Sequence, residues 1–135
     1  MAVPSFAEQD LKAKRLQEAN AFVKQYFKLE EERGYERAYD FLSSTFKQAL
    51  MQEDNVKNGR EYKKLREVKG LRWMRSRIED ISFDSQFNAA VVVTTEYEQQ
   101  VYGEHIVYGK VDLATIVVWK NDKPSIDSIT LSKVH

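Results

Sequence analysis

Asp112 and Glu96 are the residues of this chain best placed to do chemistry. Both lie in β-branched stretches, and Asp112 stands between Val111 and Leu113. A carboxylate held in an apolar pocket has its pKa raised, and it can then move a proton next to a carbonyl. Asp80 is a third acid in such a stretch. The plainer reading of Asp112 is that it points to solvent or pairs with a neighbouring lysine such as Lys110, because alternate residues of a strand face outward. The two histidines, His105 and His135, are the side chains that titrate nearest neutrality. His135 is the last residue of the sequence and is expected to be mobile, while His105 follows a turn at Gly103. Both read as exposed polar residues rather than catalysts. No His-rich or HExxH-type spacing gathers metal ligands, and no elbow motif supports a Ser–His–Asp triad. The absence of cysteine excludes disulfides, thiolate zinc sites and cysteine nucleophiles. Neither a metal nor a cofactor is expected.

Aromatic residues offer a second chemistry. Tyr97, Tyr102, Tyr108 and Trp119 fall in or beside strand-like stretches, where they would line a pocket or an interface and donate to a ligand oxygen. The alternative is that such residues simply fill a core.

Basic residues offer a third. From Lys57 to Arg77 there are nine lysines and arginines against two glutamates, a local charge of +7 in a chain with no net charge. The molecule is therefore expected to be bipolar, which favours self-association or a charged partner. Arg60, Lys63 and Lys64 share a helical face, and Arg72, Arg75 and Arg77 flank Trp73. Together they form a candidate docking edge. Nucleic-acid binding is disfavoured, because the overall charge is balanced and Glu79 and Asp80 adjoin the arginines.

The elements that must position these groups follow from periodicity. The chain has 135 residues, 42% hydrophobic and 12% aromatic, enough for one domain spanning 1–135 with its own core. Ser5 and Glu8 form a capping-box pattern that opens a long amphipathic helix. Leu16, Ala19, Phe22, Val23, Tyr26 and Phe27 give its apolar face, and Gly34 is expected to end it. A second helix runs from Tyr35 to Met51, with a break near Ser43–Ser44 where Thr45 and Gln48 would cap a new turn. A third, short and basic, is expected to stop at Gly70, with Tyr62, Leu65 and Val68 inward. Four strands follow, within 77–83, 88–103, 104–121 and 124–134. Short turns between them imply an antiparallel meander. Gly109 suggests a bulge or bend, and Trp73 with Met74 would seal the helices against the sheet. Val91, Val93, Ile106, Ile116 and Val118 are more apolar positions than one modest core takes. No signal peptide or membrane span is read. The chain is cytoplasmic as written, although a periplasmic protein with its leader removed would read the same way.

Three helices followed by four long strands, with "AYDFLSSTFK" closing the second helix, resemble the nuclear-transport-factor-2-like (cystatin-like) α+β cone superfamily. Small bacterial members of unknown function are the nearest in look. The resemblance implies an α+β fold: three N-terminal helices packed on a curved four-stranded antiparallel sheet, forming a cone with an internal pocket. It also implies a homodimer through the sheet. Superfamily members include isomerases, dehydratases, transport adaptors and secretion scaffolds, so the fold does not name an activity. The expected function is a non-enzymatic homodimeric module that binds a protein partner or a small apolar ligand. The alternatives are an isomerase- or dehydratase-like enzyme using Asp112 or Glu96, a scaffold subunit of a secretion or other assembly, and a nucleic-acid binder using the basic stretch.

Overall fold

The Ser5 hydroxyl accepts from the Glu8 amide at 3.2 Å, and the Glu8 carboxylate accepts from the Ser5 amide at 3.3 Å. In this computed structural model, which describes residues 5–135, that capping box opens α1, Phe6–Glu31. Leu16 remains 45% exposed, so the buried face begins at Ala19 and continues through Val23, Tyr26, Phe27 and Glu30. The reason is position along the sheet. Arg15 donates to the carbonyls of Gln86 and Phe87 at the turn that ends the sheet, so earlier turns of α1 overhang it. At the other end Arg33, not Gly34, takes the left-handed conformation. Gly34 contributes by having no Cβ where Leu29 packs.

The second helical stretch is divided. Helix α2, Tyr35–Ala38, runs into a 3-10 turn at Tyr39–Phe41, and α3, Ser44–Asp54, starts afresh. Ser43 supplies the cap expected of Thr45. Its hydroxyl accepts from the Phe46 amide at 3.1 Å and donates to Asp127 at 2.8 Å. Leu42 pairs with Ile126, so the break is where the helical layer is stitched to an edge strand.

Helix α4, Gly59–Arg66, is capped by Asn58 and stops before Gly70. Tyr62 is its buried residue, whereas Leu65 and Val68 are 45% and 47% exposed. Positions 62 and 66 share a face one turn apart, where Tyr62 bonds Tyr26 and Arg66 bonds Glu30, which leaves Leu65 outside.

The strands are β1 Leu71–Phe83, β2 Ala89–Val101, β3 His105–Lys120 and β4 Lys123–Val134. They form an open antiparallel meander in the order β1-β2-β3-β4. The fold is therefore α+β, helices first and sheet second. Strand β1 begins at Leu71 rather than Arg77, because Gly70 makes the entry: its φ is +80°, and a Cβ would collide with the Gln100 carbonyl. The β3–β4 turn uses Asn121 and Asp122, both at positive φ, the pattern of a two-residue hairpin loop. Gly109 makes no bulge. The β2–β3 register runs unbroken past it, and the Tyr97 ring occupies the space a Cβ would need.

Alternation sorts the sheet into two faces. Ala89, Val91, Val93, Thr115, Val117 and Ile126 are buried beneath the helices, in one core with Ala19, Val23, Tyr26 and Phe27. Val91 and Val93 are therefore central core residues and not a surplus. Fully burying such a side chain is worth about 1.5–3 kcal/mol. The alternate residues Ala90, Val92, Ala114, Ile116 and Val118 point to the other face and are only half-buried.

Candidate functional site

The cross-strand register carries the predicted acids to the face away from the helices. Arg75 pairs with Glu96 and Glu96 with Lys110; Arg77 pairs with Thr94, Thr94 with Asp112, and Asp112 with Lys133. Glu96 accepts from the Tyr108 hydroxyl at 2.9 Å and lies 3.6 Å from the Arg75 guanidinium. The Tyr108 hydrogen bond, aided by the charges of Arg75 and Lys110, holds the Glu96 carboxyl below its ordinary range. Asp112 accepts from Thr94 at 2.7 Å and from His135 at 2.9 Å. Those two hydrogen bonds, Thr94 first, depress its pKa as well. Both acids are thus held ionised, the opposite of the raised pKa that proton transfer from an apolar pocket requires. Asp112 does not pair with Lys110 either. His135 is not loose: its ring meets Asp112 and its amide donates to the Lys110 carbonyl at 2.9 Å. Asp80 and His105 are exposed.

The aromatic candidates divide by face. Tyr108 is 55% and Trp73 36% exposed, with ring centroids 6.3 Å apart on the helix-free face, and the Arg75 guanidinium sits 5.9 Å from the Trp73 ring. Trp73 therefore does not seal the helices to the sheet; its strand position turns it outward, and Met74 faces in. Tyr102 protrudes from the β2–β3 turn. Tyr97 lies over Gly109 on the helix side. Trp119 is occupied in holding α1: its indole donates to Glu18 at 3.2 Å and the Arg15 guanidinium stacks 4.8 Å from its ring.

The six residues of the basic edge lie on two elements. Arg60, Lys63 and Lys64 lie on α4, and Arg72, Arg75 and Arg77 on β1. Several are neutralised nearby, Lys63 by Glu67, Arg75 by Glu96 and Arg77 by Glu79. Arg66, part of the same charge run, turns inward.

Arg66 leads to a cluster that sequence reasoning missed. Glu30 is 1% exposed, and Arg66 grips both its oxygens, Nε to Oε1 at 3.0 Å and Nη2 to Oε2 at 3.1 Å. Tyr26 donates to Glu30 at 2.7 Å and shares a 2.6 Å hydrogen bond with Tyr62. Burial, reinforced by the Glu30 charge, pushes the Tyr26 hydroxyl well above its ordinary pKa. Burial likewise raises Tyr62 to about 12, against the opposing charge of Arg66. Every member has a partner, so the cluster ties α1 to α4 and leaves no group aimed at a ligand. Its signal was present in the spacing: Glu30 lies four residues after Tyr26 and seven after Val23, on the apolar stripe itself.

A cleft of about 520 Å³ runs between α1 and the β1 edge, with Phe27, Ile78 and Val93 in its floor and Lys24 and Lys28 on its rim. Among the described residues no helix is long and apolar enough to cross a membrane. No family model, curated protein or solved structure matches this chain.

Proposed function

We propose that this chain is a non-enzymatic homodimeric interaction module, and that its partner surface is the helix-free face of the sheet. The observation that carries the reading is apolar surface without a cover. Trp73, Ile106 and Tyr108 are 36%, 50% and 55% exposed there. The same face carries, beyond the charged rows Arg75–Glu96–Lys110 and Arg77–Thr94–Asp112, a second, half-buried strip of Ala90, Val92, Ala114, Ile116 and Val118. Exposed apolar patches of this kind mark interaction sites.

A second copy suits the face best. It carries both signs of charge, Arg75, Arg77 and Lys110 beside Glu96 and Asp112, as a self-complementary two-fold contact requires. Four strands spaced about 4.8 Å apart and roughly 43 Å long offer about 800 Å² per partner, the usual share of a stable interface. The reading agrees with the sheet-to-sheet pairing implied by the nuclear-transport-factor-2-like resemblance. It also needs no catalyst, in keeping with the depressed pKa values of Asp112 and Glu96.

Light scattering on the eluting protein tests it. The expected mass at micromolar concentration is twice the 15.8 kDa of one chain. Trp73→Glu combined with Tyr108→Glu is expected to return it to one chain with the circular dichroism spectrum unchanged. A wild-type monomer would sink the proposal.

A further inference from the structure

The cleft beside β1 shares only Arg77 with that face, and α1 is tied to the sheet on either side of it. At one end the Glu31 carboxylate accepts from the Ser76 amide at 2.6 Å. At the other, Arg15 holds the carbonyls of Gln86 and Phe87. The Glu31 bond also shows which way the strand edge faces. If the Ser76 amide points out of the sheet, the period of an antiparallel strand turns the Ile78 amide the same way, towards the cleft.

Lys24 and Lys28 stand one helical turn apart on the rim. Neither forms an ion pair among the described residues. Like charges at this spacing weaken a helix. The helix dipole favours Lys28, in the last turn, but Lys24 lies before it. Arg77 is already neutralised by Glu79 at 2.6 Å. The remaining lining charges, two lysines against Glu31, leave a single positive charge above an apolar floor.

We infer that this cleft binds a small amphipathic monocarboxylate. Its head meets Lys24, Lys28 and the Ile78 amide, and its tail packs on the half-buried Ile78, above the buried Phe27 and Val93. The Glu31 charge disfavours a dianionic head. The volume is within the range of small-molecule sites.

Methyl NMR on the full chain, titrated separately with octanoate, 1-octanol and octylammonium, tests the inference. Octanoate is expected to shift the Ile78 and Val93 methyls saturably, and to bind about tenfold tighter than octanol, as charge-assisted hydrogen bonds to the head imply. Octylammonium is expected to bind more weakly than octanol. The double variant Lys24→Gln, Lys28→Gln changes only exposed side chains, and circular dichroism checks its fold. It is expected to lose the tenfold preference while still binding octanol. Equal binding of the three probes, an unaffected variant, or no saturable shift at Ile78 and Val93 with octanoate each overturns the inference. Because the proposed dimer face lies on the other side of the sheet, a failure here leaves the light-scattering result standing.

Discussion

Glu30 and Glu96 each face one arginine and one tyrosine, yet the two trios do opposite things. Glu30, with Arg66 and Tyr26, is 1% exposed and bonded on both oxygens inside the helical layer. Glu96, with Arg75 and Tyr108, lies on the open sheet face, where the Arg75 side chain is 73% exposed. Water decides the difference. In the first trio each lost partner leaves a desolvated charge or hydroxyl, so the geometry is obligatory. In the second, solvent replaces any partner that leaves, so the same groups contribute little to folding and remain available to another molecule.

The largest break in this comparison is at Glu30. Glu30→Gln removes the charge that Arg66 answers. Because the Arg66 side chain is 40% exposed and part of it can turn to water, the expected loss sits at the low end for a broken buried pair, about 3 kcal/mol by denaturant unfolding. A loss no larger than that of Glu96→Gln would mean the inner trio is not structural.

An alkaline titration sharpens the comparison with a smaller effect. A tyrosine whose folded-state pKa exceeds its unfolded value adds stability that is complete below the unfolded pKa and is lost as pH rises through the folded one. Tyr62 at about 12, with Tyr26 also raised from 10.0, places that loss between pH 10 and about 12. Among the seven tyrosines, these two are expected to ionise last in the absorbance titration, with unfolding beginning in the same window. If all seven ionised together near pH 10 while the chain stayed folded, the cluster would be open to water.

The smallest effect belongs to the outer face. Glu96→Gln is expected to lower the melting temperature at neutral pH far less than Glu30→Gln does. The depressed pKa values of Glu96 and Asp112 place their contribution above the ordinary carboxylate range. It is lost as pH falls through the folded values, so the small difference between wild type and Glu96→Gln is expected at neutral pH and is expected to vanish in acid, below about pH 4. A drop at neutral pH comparable to that of Glu30→Gln would erase the distinction.

How much of this was readable in the sequence depends on whether the cause was local. The Ser5–Glu8 cap and the break at Ser43–Ser44 each rest on a few adjacent residues, and each stands where local chemistry puts it. The errors arise where distant partners decide. Gly70 seemed to stop a helix, but its conformation is set by the end of β2, so Trp73 sits on a strand and points outward. Gly109 seemed to mark a bulge, but its demand comes from Tyr97 on the neighbouring strand. Arg66 was counted as surface charge because its partner lies 36 residues away. Glu30 was passed over because a glutamate on an apolar stripe is read as an interruption of it, when here it is paired inside it.

The face carrying Glu96, and not the one covering Glu30, is the one proposed to meet a second copy of the chain. Isotope-filtered NOE measurements on a mixture of labelled and unlabelled protein read this directly. Intermolecular contacts are expected at the Val92, Ile116 and Val118 methyls and at the Trp73 and Tyr108 rings. Contacts confined to the helices, or none at concentrations where the mass is that of a dimer, would contradict the proposal.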